Sequence, residues 1–188
     1  MNSGLYRGAT KAAWGYLFLY LDIQVGGVTV LPAFVGYILF WQALDLLAGE
    51  DRDLSLLRPL CLLLGLWHGA AWLYSWTGGR LDGLFQALDL IVEVTNLYFH
   101  FQLFTDLAGL AAKYQTEGMD LDRRLLRLRT VQALVTTALA LAALLPMRPE
   151  GPVWWSVIAM AAAGMIVAVL LMQGIFALRR CFLDLEAG

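Results

Sequence analysis

Asp82, Gln86, Asp89, Glu93, Asn96 and His100 recur at spacings of 4, 3, 4, 3 and 4 along one apolar segment. At 100° per residue these six positions fall within an arc of roughly 80°, a single polar stripe on an otherwise apolar helix. Leu84, Leu88, Ile91, Val94 and Tyr98 cover the other faces. In a bilayer, a carboxylate at the helix centre costs about 2.5 to 3.5 kcal/mol on insertion scales, so Asp89 and Glu93 together ask for roughly 5 to 7 kcal/mol. Such groups are expected to face partners or water rather than lipid. Neighbouring carboxylates that share a proton are the chemistry of a proton relay. The same donors, with Asn96 and His100 one and two turns further along, suit a cation or the polar group of a small ligand. Nitrogen and oxygen ligands without thiolates do not select among metals, and no ExxH or HExxH pair is present, so the identity of any metal or cofactor is open.

His68 lies about 11 residues before Gly78-Gly79, and Asp89 and Glu93 about 10 and 14 after it. In an antiparallel helix pair this spacing puts all three near one depth. Gly65 and Gly69 form a GxxxG beside His68 that lets its helix approach a neighbour closely. Gln42 and Asp45, near the inner end of another segment, form a secondary set with Gln86 and are at the depth of His100. Asp22 and Gln24 close the first segment before Gly26-Gly27, where a loop-exposed Asp is the simpler reading. Gln132, Thr136, Thr137 and Gln173 read as interhelical hydrogen bonders, and Ala159, Ala163 and Gly164 as close packing. Trp67 and Trp72 flank His68 and could stack on an organic ligand, although packing explains them equally. The counter-reading of the stripe is structural: buried polar residues can simply bond neighbouring helices together, at about 0.6 kcal/mol each.

Six apolar stretches are expected to carry these residues: about Leu5 to Ile23, Pro32 to Ala48, Leu54 to Thr77, Leu81 to Ala112, Leu125 to Leu145 and Pro152 to Leu178. Each approaches the roughly 20 residues that a span needs. The first is the weakest, because Ala12 to Ile23 has only 12 residues, about 18 Å of helix, and needs Leu5 onward to span; a re-entrant first hairpin is the alternative. With six spans, Arg7, Lys11, Arg52, Arg58, Lys113, Arg123, Arg124, Arg127, Arg129, Arg179 and Arg180 share one side, against Arg80 and Arg148 on the other. Short cytoplasmic loops collect cations, so both termini are expected in the cytoplasm. Tyr74, Trp76, Trp154 and Trp155 mark the outer ends and Trp14 and Trp41 the inner ones, as rings at a headgroup boundary would. Gly78-Gly79 and Arg148 to Gly151 make tight turns, and the charged stretch from Lys113 to Arg129 is the longest inner connection. That stretch could touch anionic lipid, but Glu117, Asp120 and Asp122 dilute it.

Composition agrees. The 188 residues are 60% hydrophobic and 15% charged, with mean hydropathy +0.67, whereas soluble domains carry roughly 25% charged residues. The chain is expected to be one transmembrane domain, residues 1–188, with nothing left for an extramembrane one. A net charge of −2 offers no basic surface for a phosphate backbone, so nucleic-acid binding is not expected. Cys61 and Cys181 are far from any CxxC or metal-knuckle spacing, and no disulfide is expected. The first apolar run follows Arg7 and Lys11 without a cleavage site and reads as an uncleaved span. No internal repeat argues for an inverted-repeat transporter. There is no GxxxxGK[ST] loop, no GxGxxG after a strand, no GxSxG elbow and no intramembrane lysine for a Schiff base.

The run Leu21 to Phe40, LDIQVGGVTVLPAFVGYILF, resembles the opening of a group of small, uncharacterised multi-spanning membrane proteins of Gram-positive bacteria. In that group an LDI, a short Gly-containing loop and an LPxFxGY run follow a first helix. The resemblance implies a bacterial plasma membrane; Ala33 stands where members often carry an acidic residue. In size and span count the chain also resembles the substrate-capture subunits of energy-coupling vitamin transporters, without their coupling motif in the first helix.

The expected fold is therefore all-α, a polytopic transmembrane helical bundle of about six spans. The expected function is that of a transporter or of a ligand- or ion-binding membrane subunit in which Asp89, Glu93 and His68 hold a proton, cation or polar group, with Asn96 and His100 extending the path inward. The alternatives are a structural or accessory protein recruited to a membrane-protein partner, and an intramembrane, metal-dependent enzyme with Glu93 as acid or base and His68 or His100 as ligands.

Overall fold

A computed structural model describes residues 3–20, 24–25, 28–29, 32–77, 86–116, 118–143 and 151–187. The chain is helical: α1 (Ser3–Tyr20), α2 (Ala33–Leu47), the short α3 (Asp53–Leu56), α4 (Arg58–Ser75), α5 (Gln86–Tyr114), α6 (Leu121–Ala143) and α7 (Pro152–Ala187). Between α1 and α2, β1 (Gln24–Val25) and β2 (Val28–Thr29) pair antiparallel, Gln24 opposite Thr29 and Val25 opposite Val28. Each apolar stretch corresponds to one helix, of 15 to 36 residues. Asp53–Ser75, Leu121–Ala143 and Val153–Leu183 are long and apolar enough to cross a membrane, and Ala33–Leu47 is a shorter apolar helix. Gly78-Gly79, Asp22, Gly26-Gly27, Asp82, Arg80 and Arg148 lie outside the described residues.

Local chemistry explains the helix ends. Pro32, extended at φ −73° and ψ 135°, precedes α2, and a proline opens α4 and α7, where the missing N–H has no helical partner to lose. The charged stretch from Lys113 to Arg129 proves to be mostly helix, so the connection shrinks to residues 115–120. Gly118 supplies the positive φ of +89° that this tight turn requires. Gln115 then caps α6, its Oε1 accepting from the backbone N–H groups of Leu121 and Asp122 and its Nε2 donating to Asp122. Two donors without an intrahelical partner are thereby satisfied.

The helices meet unevenly. α1 packs on α2 and α7, α2 on α4, α4 on α5, and α5 and α7 on α6. The buried core lies towards one end of the bundle: Leu5, Ala9, Leu47, Leu54, Leu57, Leu107, Ala111, Leu125, Leu178 and Phe182 come from the start of α1, the end of α2, α3, the start of α4, the ends of α5 and α7, and the start of α6. At the other end Leu66, Leu73, Leu90, Ile91, Leu141, Val153 and Ile158 are exposed. All six predicted boundary aromatics, Trp14, Trp41, Tyr74, Trp76, Trp154 and Trp155, are exposed as well.

The closest backbone approach at the described glycines is the crossing of α1 and α2. A Cβ built on Gly36 would stand 2.7 Å from the carbonyl oxygen of Gly15, and one on Gly15 would stand 2.9 Å from that of Gly36. The GxxxG glycines of α4 face α2 less tightly: a Cβ on Gly65 would stand 3.3 Å from Tyr37 Cβ, and one on Gly69 would make ordinary contact with Phe34 at 3.9 Å. Of Ala159, Ala163 and Gly164, only Gly164 packs closely, against Val135; the two alanines are exposed. At the core end, Glu50 accepts from Lys113 Nζ at 2.7 Å and from Tyr114 Oη at 2.5 Å, which ties the end of α2 to the end of α5. These donors hold the Glu50 carboxyl below the ordinary carboxylate range, Lys113 first.

Two outcomes are expected in thermal unfolding of the detergent-purified protein. Gly36→Ala, whose new methyl meets backbone, lowers stability by about 1 to 3 kcal/mol. Gly109→Ala, with open space around it in a helix, raises it by roughly 0.5 to 1 kcal/mol. The Glu50 clamp is a smaller effect. Its depressed folded-state pKa means that the contribution is present above the unfolded carboxylate value of about 4.3 and is lost as pH falls through the folded one; Glu50→Gln should therefore destabilise at pH 7, and the difference from wild type should shrink as the pH is lowered into the acid range.

Candidate functional site

Tyr37 joins the predicted polar residues of two helices. Its ring stacks on His68 of α4, centroids 5.2 Å apart and planes 15° from parallel, and its hydroxyl donates to Asn96 Oδ1 of α5 at 2.9 Å. One turn further along α5, His100 sits edge-on among Tyr16, Phe40 and Phe99, with centroids at 5.7, 6.2 and 5.4 Å. Tyr37 of α2 thus touches both His68 and Asn96, and His100 follows Asn96 one turn along α5. Tyr37 also accepts the Cys61 thiol at its backbone carbonyl, 3.1 Å away, so the junction of α2 and α4 is held next to the same side chain.

Asn96 and His100 open onto a cavity of about 50 Å³ among α1, α5 and α6, which Tyr20, Phe104, Arg129, Gln132 and Thr136 also line. Three of these lining residues each hold a buried polar atom with no hydrogen-bond partner among the described residues: His100 Nδ1, Gln132 Oε1 and Arg129 Nε. Gln132 uses only one end of its amide, Nε2 donating to Tyr20 Oη at 2.9 Å. Tyr16 Oη also donates to Tyr20 Oη, at 3.4 Å. Since the Tyr20 oxygen accepts from both, its own proton is left to be donated. Arg129 is fixed by a bond from Nη1 to Thr105 Oγ1 at 2.5 Å and by the face of Phe101, 3.9 Å from its guanidinium carbon. An unmet buried polar group costs about 1 to 3 kcal/mol, so three on one small wall call for water or a ligand.

The other predicted residues are placed differently. Asp89 is half-buried on α5, two turns before Asn96. Glu93 is exposed on the helix surface, because here the ends of α4 to α7 away from the core have few neighbours to cover it. The side chain of Gln86 lies outside the described residues. Gln42 and Asp45 do not serve His100: Gln42 accepts from Lys11 Nζ at 2.6 Å and Asp45 pairs with Arg58 at 2.5 Å, both near the surface, where cations of adjoining helices reach them first. Among the described residues, no three His, Cys, Asp or Glu side chains form a group that could hold a metal, so Glu93, His68 and His100 are not a ligand set there.

Tyr20, Tyr37 and Arg129 were not expected at the site. Arg129, Gln132 and Thr136 repeat on α6 the spacing of the α5 stripe, 3 then 4. That periodicity, once α6 is extended back to Leu121, would have placed them on one face.

Searches of family models, curated proteins and solved structures match nothing to this chain.

Tyr37→Phe is expected to lower stability by about 0.6 kcal/mol, the average for an interhelical bond in a membrane protein, and to change the infrared amide signature of a labelled Asn96. No stability change in that variant would mean that the link from α2 to α5 does not form.

Proposed function

We propose that this protein is a six-span helical membrane protein with both termini on the cytoplasmic side of a bacterial plasma membrane, and that it binds a compact polar ligand or ion in the chamber lined by Asn96, His100, Arg129 and Gln132, as a transporter or as a ligand-capture subunit. The observation that carries this reading is that three residues lining one cavity each hold a buried polar atom without a hydrogen-bond partner among the described residues. Intramembrane polar and ionisable groups are costly, and where they line a cavity they mark ligand or ion paths. The bilayer topology draws support from the match of six apolar stretches to six helices, three of them long and apolar enough to cross a membrane, and from the one-sided distribution of Lys and Arg.

Volume narrows the ligand class. A water needs about 10 to 15 Å³ of such space, so about 50 Å³ admits a few waters, an ion or a small polar group. Sites for drug-sized molecules run to about 300 to 1,000 Å³. The chamber therefore supports ion, proton or small-solute handling over capture of a vitamin. The donors Arg129 Nε and Tyr20 Oη and the acceptor Gln132 Oε1 bind both ends of a polar group, with His100 able to give or take a proton. His68, reached through Tyr37, and Asp89, further out on the stripe, continue the path away from the core end.

Thermal stability of the purified protein, screened in detergent across pH, salts and small polar solutes, tests this. A ligand present at 100 times its Kd stabilises by about 2.7 kcal/mol. That shift should vanish in His100→Ala and Gln132→Ala and persist in Glu93→Gln. Equal destabilisation of the two chamber variants in every condition, with no solute shifting the wild type, would assign the polar residues to helix packing instead.

A further inference from the structure

A second concavity, of about 510 Å³, lies against the first two turns of α6, where Arg123, Arg124 and Arg127 stand over an apolar floor of Met119, Leu121, Leu128 and Ala177. Arg124 and Arg127 are exposed and form no ion pair among the described residues. Arg123 reaches Asp120 at 3.6 Å, with both side chains mostly solvated, 69% and 80% exposed, a pairing too loose to neutralise it. Arg180 lies one turn beyond Ala177 on α7, on the same side of that helix. Three arginines therefore outnumber the single carboxylate, Asp120, on a groove whose remaining walls are hydrocarbon.

We infer that this groove is a binding site for an anionic phospholipid, with the phosphate held by Arg123, Arg124 and Arg127 and an acyl chain laid along Leu121, Leu128 and Ala177. Guanidinium groups bind phosphate oxygens in bidentate fashion. Basic pockets between helices at the cytoplasmic boundary are matched to anionic headgroups. The position fits on both counts: the arginines occupy the start of a helix long and apolar enough to cross a membrane, so the floor continues directly into the hydrocarbon region. A soluble anion would use the arginines and leave the apolar floor wet; a zwitterionic lipid would cover the floor and offer its phosphate, but its ammonium would bring a further positive charge to the three arginines. An anionic lipid covers the floor and compensates the charge.

The inference rests on the topology proposed above, and the full-length protein distinguishes the failure of one from that of the other. Reconstitution into phosphatidylcholine vesicles, followed by carbonate washing, tests membrane insertion; a chain released by the wash would overturn the topology and the lipid site with it. For inserted protein re-extracted in neutral detergent, native mass spectrometry should show phosphatidylglycerol retained at collision energies that strip phosphatidylcholine. The combined substitutions Arg123→Gln, Arg124→Gln and Arg127→Gln should weaken that preference by about tenfold or more, while Arg52→Gln leaves it unchanged. Should the combined variant not fold, the wild type still decides: its preference should fall between 50 and 500 mM salt, and 10 mM inorganic phosphate should not displace the lipid. Equal retention of both lipids by the wild type, an undiminished preference in the folded variant, or displacement by free phosphate would each overturn the inference.

Discussion

The close crossing of α1 and α2 at Gly15 and Gly36 is the contact on which the polar site depends. Each glycine lacks the Cβ that would strike the other's carbonyl, and only at that separation do Tyr16 and Tyr20 from α1 and Tyr37 and Phe40 from α2 reach one face of α5. These rings do two things at once. They fill the space around His100 with edge-on aromatic contacts, and they carry hydroxyls into an apolar interior to meet Asn96 and Gln132. Tyrosine suits this because its body is hydrophobic and only its tip must be bonded. A wider crossing would withdraw the hydroxyls and leave the polar groups of α5 and α6 facing hydrocarbon.

Much of the helical framework was legible from composition and length, since a bilayer admits few ways to satisfy a backbone and each apolar stretch must be helical to do so. The stripe on α5 was legible for a related reason: Asn96 and His100 break an apolar pattern with helical spacing, and the structure places both on the cavity. Glu93 keeps that spacing but not the burial, because periodicity tells which residues share a face and not how far along the helix a neighbour extends. Tyr20 and Tyr37 carried no such signal, since an amphipathic ring in an apolar stretch belongs equally at a boundary or in packing. Arg129 was hidden by a different assumption. Counting it as a loop cation moved it out of the bundle, whereas Gln115 caps α6 early enough that Arg129 stands two turns inside the helix.

The start of α6 consequently serves two surfaces. Arg129 turns inward to Thr105 and Phe101, and Arg123, Arg124 and Arg127 line the outer groove. Helical spacing separates them: Arg129 shares a face with Gln132 and Thr136, and the other three precede it on the opposite side. One run of basic residues, uniform as a charge pattern, is divided by geometry into a buried donor and a surface cluster.

The concentration of the core at one end of the bundle has a mechanical consequence. Where α1, α2, α3, α5 and α7 interlock, opening any helix would expose many apolar groups together, and amide exchange there should need near-global unfolding. Towards the far ends of α4 to α7 the side chains Leu73, Ile91, Leu141 and Val153 are exposed, so lateral support must come from the surrounding solvent. In a bilayer that solvent is lipid, and its thickness and chain packing become part of the energy that holds these helix ends together. The molecule behaves as a clamp with a rigid hinge and compliant arms, stiffened or loosened by the membrane around it.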